Sequence, residues 1–442
     1  MTARLVMIAL DGADSDLIDR WSGDGTLPNL AALRARGQGK ALTAPPGVTD
    51  DALWASFQFS QSLGEHGRYY YLQRLRNGQI GMAFIEETDR QWFWERLSAE
   101  GRRVAVLDIP KTAAPRPVNG IHLADWLVHG KYFEQPLSYP PGLATEIVAE
   151  FGSAPPSRCG HPVEMTDDIS EDVASNLLRS IEMKRDAGLR YLGSEDWDLF
   201  MIGFKEAHCA GHTFWDVVDP SHPDFDAARR DRLGDPVGAI FKRLDAAIGM
   251  LVEAAGPDAS IVVFSTTRME PNASLKHLAG RLGRRLNRTL AETPLTQLWR
   301  RWRKRRPPIE IMPYNENGTA IRINAGKTPV AKAKIAGRVV ATFEALTDAA
   351  SGEPLVAAID RPAEDYPGPR SHNLPDLLVR YRAGLFPRAV SAPRLGRVEA
   401  ETPLYRAGNH AAGPFVIAAG LDLGAVVAFE DFGPLAERFL AR

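Results

Sequence analysis

Residues 4–11 read RLVMIALD, a short apolar run that stops at an aspartate. The run is too short to cross a membrane as a helix, and no small-residue cleavage site follows it. Continuous rather than alternating hydrophobicity is typical of a parallel β-strand that is buried on both faces. We therefore predict a first strand with Asp11 at its carboxyl end, and a cytoplasmic protein without a membrane span.

Apolar runs of similar length recur along the chain, and helical periodicity follows each of them. They occupy residues 103–109, 197–204, 260–266 and 376–381. Strands that alternate with helices form βαβ units, so the predicted fold class is α/β. We expect a doubly wound, mostly parallel central sheet with helices on both faces, and functional residues at the carboxyl ends of its strands.

The composition narrows the classes of function. The chain has 442 residues, of which 44% are hydrophobic, and a formal net charge of only -2. Such a chain can bury a large core and has no overall attraction to nucleic acid, which is therefore not an expected partner. Only two cysteines occur, Cys159 and Cys209, which argues against a disulfide framework and fits a reducing compartment.

The stretch FKEAHCAGHTFW (204–215) places His208 and His212 four residues apart. On a helix this spacing puts both imidazoles on one face, within reach of a single ion. The spacing alone favours two hydrogen-bonded histidines near a surface, because His-x-x-x-His needs further ligands before it specifies a metal site. Other polar residues also follow predicted strands, among them Asp11 and the threonines of STTR (265–268). This clustering predicts a functional site at the strand ends.

A basic stretch, LWRRWRKRRPP (298–308), stands out within the region 272–312. Basic residues with interleaved tryptophans suit an anionic substrate or a membrane surface. The pattern also fits a solvated amphipathic helix in an insertion that packs Trp299 and Trp302 on the core. We favour this second interpretation, because one short run in a near-neutral protein is little evidence for a partner.

Seven segments follow one another in an order that is itself informative. They are VMIALDGAD (6–14), GTLPNLAALRARG (25–37), PPGVTDDALWASFQFSQSLGEHG (45–67), FKEAHCAGHTFWDVVDPSHPDF (204–225), VVFSTTRMEP (262–271), PDLLV (375–379) and GNHAAGPFVIAAG (408–420). Their order resembles the alkaline phosphatase superfamily, in particular its type I phosphodiesterase and nucleotide pyrophosphatase branch. The resemblance implies an alkaline phosphatase-like α/β core of residues 1–271 and 313–442, with residues 272–312 as a basic helical insertion or cap.

The resemblance also implies a metal centre. Family members hold two zinc-like ions that clamp a phosphoryl group and activate a Thr or Ser nucleophile. Carried over position by position, the ligands of one ion become His208, His212 and His410. Asp11 matches the first-strand aspartate of the other ion. Three histidines suit zinc, which is the expected ion, and also manganese or iron if carboxylates such as Asp11 and Asp50 complete the set.

The chain departs from the family's pattern mainly at the second ion. His208 stands where the family has aspartate, which exchanges one competent ligand for another. Thr266 and Thr267 stand where the family has an Asp-His pair, and Arg268 replaces the glycine after it. Neutral hydroxyl groups are poor ligands for a divalent ion, so a conventional two-zinc site is not expected.

The nucleophile position is changed as well. A gapless match from Trp54 through His66 places Asp50 at the family's Thr or Ser position, and Thr49 comes into register only with an extra residue. Thr49 equally suits the N-cap of a helix that has Asp50 and Asp51 in its first turn. If Asp50 faces the site, we expect it to be a carboxylate ligand or a general base rather than an alcohol-like nucleophile.

Three hypotheses fit these observations. The first is a metal-dependent hydrolase that acts, through a single ion, on a phosphodiester, a pyrophosphate or a similar small anionic substrate. In it Arg268 pairs with the anion, and Glu206 is an acid or base, with a plain surface carboxylate as the equally weighted alternative. The second uses the same fold and metal for a lyase or oxygen-dependent reaction. The third is an inactive homologue that binds a ligand or partner. We favour the first.

Overall fold

The structure of the protein is a computed structural model. It describes residues 3–48, 50–86, 89–128, 132–156, 165–273, 276–290, 306–314, 316–325, 328–399 and 406–441. The chain divides into two compact units. Unit 1 consists of Met1–Ser62, Met82–Pro271 and Leu404–Arg442, and unit 2 of Leu63–Gly81 and Asn272–Pro403.

Unit 1 is built on a mostly parallel sheet of eight strands within the described residues. Side by side, these are β2 (Gln38–Ala41), β19 (Phe415–Ala419), β9 (Ser260–Ser265), β1 (Ala3–Leu10), β8 (Trp197–Phe204), β5 (Val104–Leu107), β6 (Gly120–Ala124) and β7 (Leu137–Tyr139). The five strands from β9 to β6 are mutually parallel. The antiparallel pairs lie toward the two edges. The predicted α/β fold class is confirmed.

Strand β1 explains why the sheet forms from continuous apolar runs. It lies between β8 and β9, and its side chains alternate between two separate cores. Val6 and Ile8 pack into one core, while Leu5 and Met7 pack into the other, and all four are at most 1% exposed. A strand with a core on each face needs an apolar residue at every position, which is the pattern of residues 4–10.

Helices cover both faces of this sheet. In unit 1 the described helices are α1 (Ser15–Gly23), α2 (Pro28–Ala35), α3 (Asp50–Phe59), α5 (Phe93–Ala99), α6 (Leu143–Phe151), α7 (Asp167–Leu192), α8 (Glu206–Val218), α9 (Ala227–Leu233), α10 (Pro236–Ala255) and α14 (Phe432–Leu440), with 3-10 turns at Ala83–Glu86 and Phe429–Asp431. A separate antiparallel pair joins β10 (Arg268–Pro271) to β18 (Gly408–Ala411). Among the described residues of the whole chain, no helix combines the length and the apolar character needed to span a membrane.

Unit 2 contains antiparallel sheets. Its described elements, with one strand that extends to Met82, are α4 (Leu63–His66), β3 (Leu72–Arg74), β4 (Ile80–Met82), α11 (Lys276–Leu290), β11 (Ile309–Ile311), β12 (Gly318–Ile323), α12 (Pro329–Glu344), β13 (Thr347–Asp348), β14 (Val356–Asp360), α13 (Pro362–Asp365), a 3-10 turn at Ser371–Asn373, β15 (Leu377–Tyr381), β16 (Ala389–Ala392) and β17 (Gly396–Glu399). Helix α11 places leucines at residues 278, 282, 286 and 290 on one buried face, in the core of this unit.

One strand that we predicted for the parallel central sheet lies in unit 2 instead. The run at 376–381 forms β15, which pairs antiparallel with β12 and β14 in unit 2, so its prediction as a parallel strand of the central sheet is wrong. A short apolar run is equally compatible with a parallel or an antiparallel sheet, because it indicates that the strand is buried but not the direction of its neighbours. Residues 313–403, expected in the α/β core, likewise fall within unit 2. Of the basic stretch 298–308, residues 298–305 with both tryptophans lie outside the described residues.

Asp245 on α10 fixes the beginning of α2. Its Oδ1 accepts a hydrogen bond from the Leu30 backbone at 2.8 Å, and its Oδ2 accepts one from the Asn29 backbone at 3.1 Å and one from the Asn29 side chain at 2.8 Å. Asp245 is 2% exposed. The carboxylate thus satisfies donors that the first turn of a helix leaves without a partner.

Replacement of this carboxylate should destabilise unit 1. We expect Asp245→Ala to lower the free energy of unfolding by about 3 kcal/mol, because buried donors lose an ionised acceptor. Urea denaturation measures this loss. The control Glu253→Ala, at an exposed position of the same helix, should change the stability by less than about 0.5 kcal/mol. An Asp245→Ala loss as small as that of the control would contradict the assigned role.

Candidate metal centre

Three histidines converge beyond the carboxyl ends of the parallel strands. His208 and His212 lie one turn apart on α8, which begins two residues after β8 ends, and His410 lies on β18. Their ring centroids are separated by 4.5, 4.6 and 4.7 Å. One nitrogen from each ring lies within 4.8 Å of the other two, and each residue is at most 5% exposed. His208 and His212, which are four residues apart, therefore form one buried group with the distant His410.

A close approach of α8 to β18 brings these rings together. A side chain at Gly408 would collide with the carbonyl oxygen of Gly211, so glycine is required there. Nδ1 of His212 lies 2.8 Å from the Gly408 carbonyl oxygen, to which it donates a hydrogen bond. In the tautomer with the proton on Nδ1, the ring keeps a lone pair on Nε2 that an ion could use. Ligand histidines commonly donate their second nitrogen to a backbone carbonyl in this way.

Asp11 connects the first strand to this group. Its Oδ2 lies 3.2 Å from Nδ1 of His208, and its Oδ1 accepts a hydrogen bond from Nε1 of Trp54 at 3.0 Å. Gly12 adopts a φ of +61°, and a side chain there would touch the backbone of His208, so the chain can turn only through a glycine. Burial and the neighbouring Asp50 carboxylate raise the pKa of Asp11 to about 8.

The positive charge of Lys111 compensates the negative charges of two further buried carboxylates, Asp50 and Asp51. The Lys111 ammonium group forms an ion pair with Asp50 and a second one, at 2.6 Å, with Asp51. Oγ1 of Thr266 donates a hydrogen bond to Oδ1 of Asp50 at 3.1 Å. Burial by itself would raise the pKa of Asp50, but Lys111 holds it well below its usual range. The two aspartates at the start of α3 therefore face a protein cation.

Burial and neighbouring positive charge keep two of the three histidines, His208 and His212, neutral. Burial lowers the pKa of His208 well below its usual value, and His410 adds to this effect. Burial and Arg406 do the same to the pKa of His212. A neutral imidazole is the form that binds a metal ion.

Arg406 lies directly against His212. Its Nε is 3.0 Å from Nδ1 of the ring, and its Nη2 contacts Nε2. A guanidinium group remains protonated under all ordinary conditions, so the centre contains a fixed positive charge beside the histidines. An ion bound through Nε2 would take over the lone pair that this guanidinium now uses.

The structure separates two predicted site residues from the histidines. Arg268 donates to the carbonyl oxygen of Ala412 at 2.8 Å and to Asp16 at 3.0 Å, and its side chain is 39% exposed. Glu206 lies 3.4 Å from the Lys184 ammonium group. The alternative of a surface carboxylate at Glu206 is wrong, because the residue is fully buried.

Thr49, the other predicted nucleophile, lies outside the described residues. Sequence reasoning missed Lys111 and Arg406. Lys111 follows the run at 103–109, so the strand-end rule that singled out Asp11 could have found it. Arg406 lies two residues before the segment that carries His410, and its sequence context contains no comparable signal.

The chemistry of the donor atoms fits a metal ion. Three buried imidazoles are a good set for zinc, and manganese or iron would need added carboxylates. A second group within 4.8 Å contains Asp11, Asp50 and His208. Lys111 is already paired with Asp50 there, so the three histidines are the better candidate for an ion.

Comparisons with known proteins give a consistent result. The family profile for type I phosphodiesterase / nucleotide pyrophosphatase matches residues 5–393. Phosphonoacetate hydrolase from Sinorhizobium meliloti 1021, in complex with phosphonoformate, is similar in structure, with a TM-score of 0.56 and 12% identity over 99% of this chain and 96% of that one. Murine ectonucleotide pyrophosphatase / phosphodiesterase 5 gives a TM-score of 0.55 and 10% identity over 99% and 95%. Its human counterpart gives 0.52 and 12% over the same shares. No curated protein matches this sequence.

Metal analysis tests the histidine group. We expect purified protein to bind one transition-metal ion per chain, and we expect His212→Ala and His410→Ala to weaken binding by at least about 100-fold, because each removes one of three ligands. Elemental analysis after dialysis measures the stoichiometry. The control His372→Ala, at an exposed position, should bind the ion as the wild type does. Metal content that is substoichiometric, or that is unchanged in the two ligand variants, would contradict the assignment.

Proposed function

The chain belongs to the type I phosphodiesterase / nucleotide pyrophosphatase family, and we propose that it is a metal-dependent hydrolase of phosphodiesters, pyrophosphates or similar small anionic substrates. The proposal places one divalent ion, with zinc expected and manganese or iron as alternatives, at His208, His212 and His410. The main support is that these three buried imidazoles converge, with one nitrogen from each within 4.8 Å of the others.

An ion held by three imidazoles would act as a Lewis acid toward a phosphoryl oxygen and would lower the pKa of a water molecule. The protein's part is to fix the donors. The Gly408 carbonyl oxygen orients His212 through Nδ1, and Asp11 lies against Nδ1 of His208. Both contacts support a ligand role for the opposite nitrogen of each ring. In this proposal Asp11 positions His208 through its contact with Nδ1.

Arg406 is the group best placed to bind the substrate. Its guanidinium group lies at the histidines, whereas Arg268, predicted for this role, is bonded to Asp16. Once the ion uses Nε2 of His212, the planar guanidinium can pair with two oxygens of a phosphoryl group. Arg406 thereby takes over the role proposed for Arg268, and Glu206, paired with Lys184, supports the start of α8 rather than the reaction.

The names of two of the similar solved structures support a substrate of this class. One is named for phosphonoacetate and contains phosphonoformate, and the other is named as a nucleotide pyrophosphatase and phosphodiesterase. Both names describe small anions that contain phosphorus. An ion flanked by Arg406 and Lys111 offers such an anion positive charge from the protein on two sides.

One contact favours a second candidate function. Because Arg406 donates to Nε2 of His212 and Lys111 pairs with Asp50, two protein cations compensate the centre without an ion. An inactive homologue that binds an anionic ligand would use the same arrangement. Metal content separates the two functions, since only the hydrolase requires the ion.

Hydrolysis is tested with aryl phosphate monoesters and diesters on protein loaded with zinc, manganese or iron. We expect turnover of at least one class, and we expect Arg406→Gln to raise KM more than it lowers kcat, because the arginine binds the anion in the ground state as well. The exposed arginine in Arg397→Gln, paired only with exposed groups of unit 2, is the control. No turnover by the metal-loaded protein with any ester would contradict the proposed hydrolase.

A further inference from the structure

Lys111 occupies an unusual position for a lysine. It follows β5 at the carboxyl end of the sheet, its side chain is 4% exposed, and its backbone adopts a φ of +58°. A residue with a β-carbon rarely adopts this left-handed conformation, because the β-carbon comes too close to the following carbonyl oxygen. Asp108, three residues earlier, is also left-handed, with a φ of +53°. The loop after β5 thus adopts a strained path that directs the ammonium group inward.

The ammonium group is the centre of a cluster of buried carboxylates. It pairs with Asp50 and Asp51, and it is close enough to Asp11 to oppose the rise in the pKa of that residue. Burial by itself would lower the pKa of Lys111, but the aspartates outweigh burial and raise it well above its usual value. The lysine therefore remains a cation in the interior.

The same carboxylates form the second set of groups that could hold an ion. Asp11, Asp50 and His208 each offer a ligand atom within 4.8 Å of the others. Thr266, which the resemblance puts at the position of a family ligand, donates a hydrogen bond to Asp50, and Thr267 beside it is 1% exposed. The ligands that a second ion would need are therefore replaced, while the negative charge that attracted it remains and is compensated by Lys111.

We propose that the Lys111 ammonium group takes the place of the second metal ion, so that this centre combines one bound ion with one built-in protein cation. The inference rests on the proposed function, since it presumes an ion at the three histidines. Lys111 acts through Asp50 and Asp51 and is a positioning residue. A purely structural ion pair would not determine how many ions the protein binds.

The test counts metal ions in folded protein. Wild type, Lys111→Met and Lys111→Arg are titrated with zinc, and bound metal is measured by elemental analysis after gel filtration. Lys111→Met keeps the apolar stem and removes the charge, so it should bind a second zinc ion, giving two per chain against one in the wild type. Lys111→Arg keeps a cation and should bind one.

A double variant controls for folding. Lys111→Met with Asp50→Asn removes both members of the ion pair, so it carries less uncompensated buried charge and should bind one ion. Circular dichroism confirms that each variant is folded. Should Lys111→Met not fold, titration of the wild type decides alone: a second tightly bound ion overturns the inference, and a single ion supports it.

The outcomes distinguish this inference from the proposed function. One ion in both the wild type and folded Lys111→Met overturns the role of Lys111 and leaves the histidine site intact. No ion in the wild type but one in Lys111→Met overturns the proposed hydrolase and, with it, a centre of one ion and one protein cation. No ion in either overturns both.

Discussion

Three carboxylates, those of Asp11, Asp50 and Asp51, are buried at one end of the central sheet of unit 1. An unpaired carboxylate in such a place would cost several kcal/mol, about 3–5 when one partner of a buried pair is removed. Lys111 compensates two of them, and Trp54 donates to the third. The left-handed backbone at Lys111 accompanies this compensation, since the ammonium group reaches the two aspartates at the start of α3.

The strands of the parallel part of the central sheet could be predicted from sequence, because a strand that is buried on both faces has a continuous run of apolar residues. The runs that became β1, β5, β8 and β9 all have this pattern, and all lie in the parallel part of the sheet. β15 has it too, although it belongs to an antiparallel sheet. Local hydrophobicity indicates that a strand is buried, but it does not indicate which strand it pairs with, because pairing depends on residues far away in the sequence. For this reason the division into two units was not predicted.

The candidate site was predictable to a similar extent. Helical spacing puts His208 and His212 on one face but by itself favoured two surface histidines. Their interpretation as ligands, and His410 itself, came from resemblance to a family, because His410 is almost 200 residues away and lies on a strand. Lys111 and Arg406 were missed because lysine and arginine usually mark solvated surface, and their burial depends on distant partners such as Asp50 and His212. Arg268 was preferred for its place beside Thr267, but its side chain bonds outward to Asp16.

Anomalous diffraction from crystals grown with zinc tests the account most directly. We expect one peak per chain, about 2.1 Å from a nitrogen of each of His208, His212 and His410, with the Arg406 guanidinium displaced from Nε2 of His212. The Lys111 ammonium group should remain between Asp50 and Asp51. A second peak at Asp50, or no peak at the histidines with Arg406 still in contact with His212, would contradict a centre of one metal ion and one protein cation.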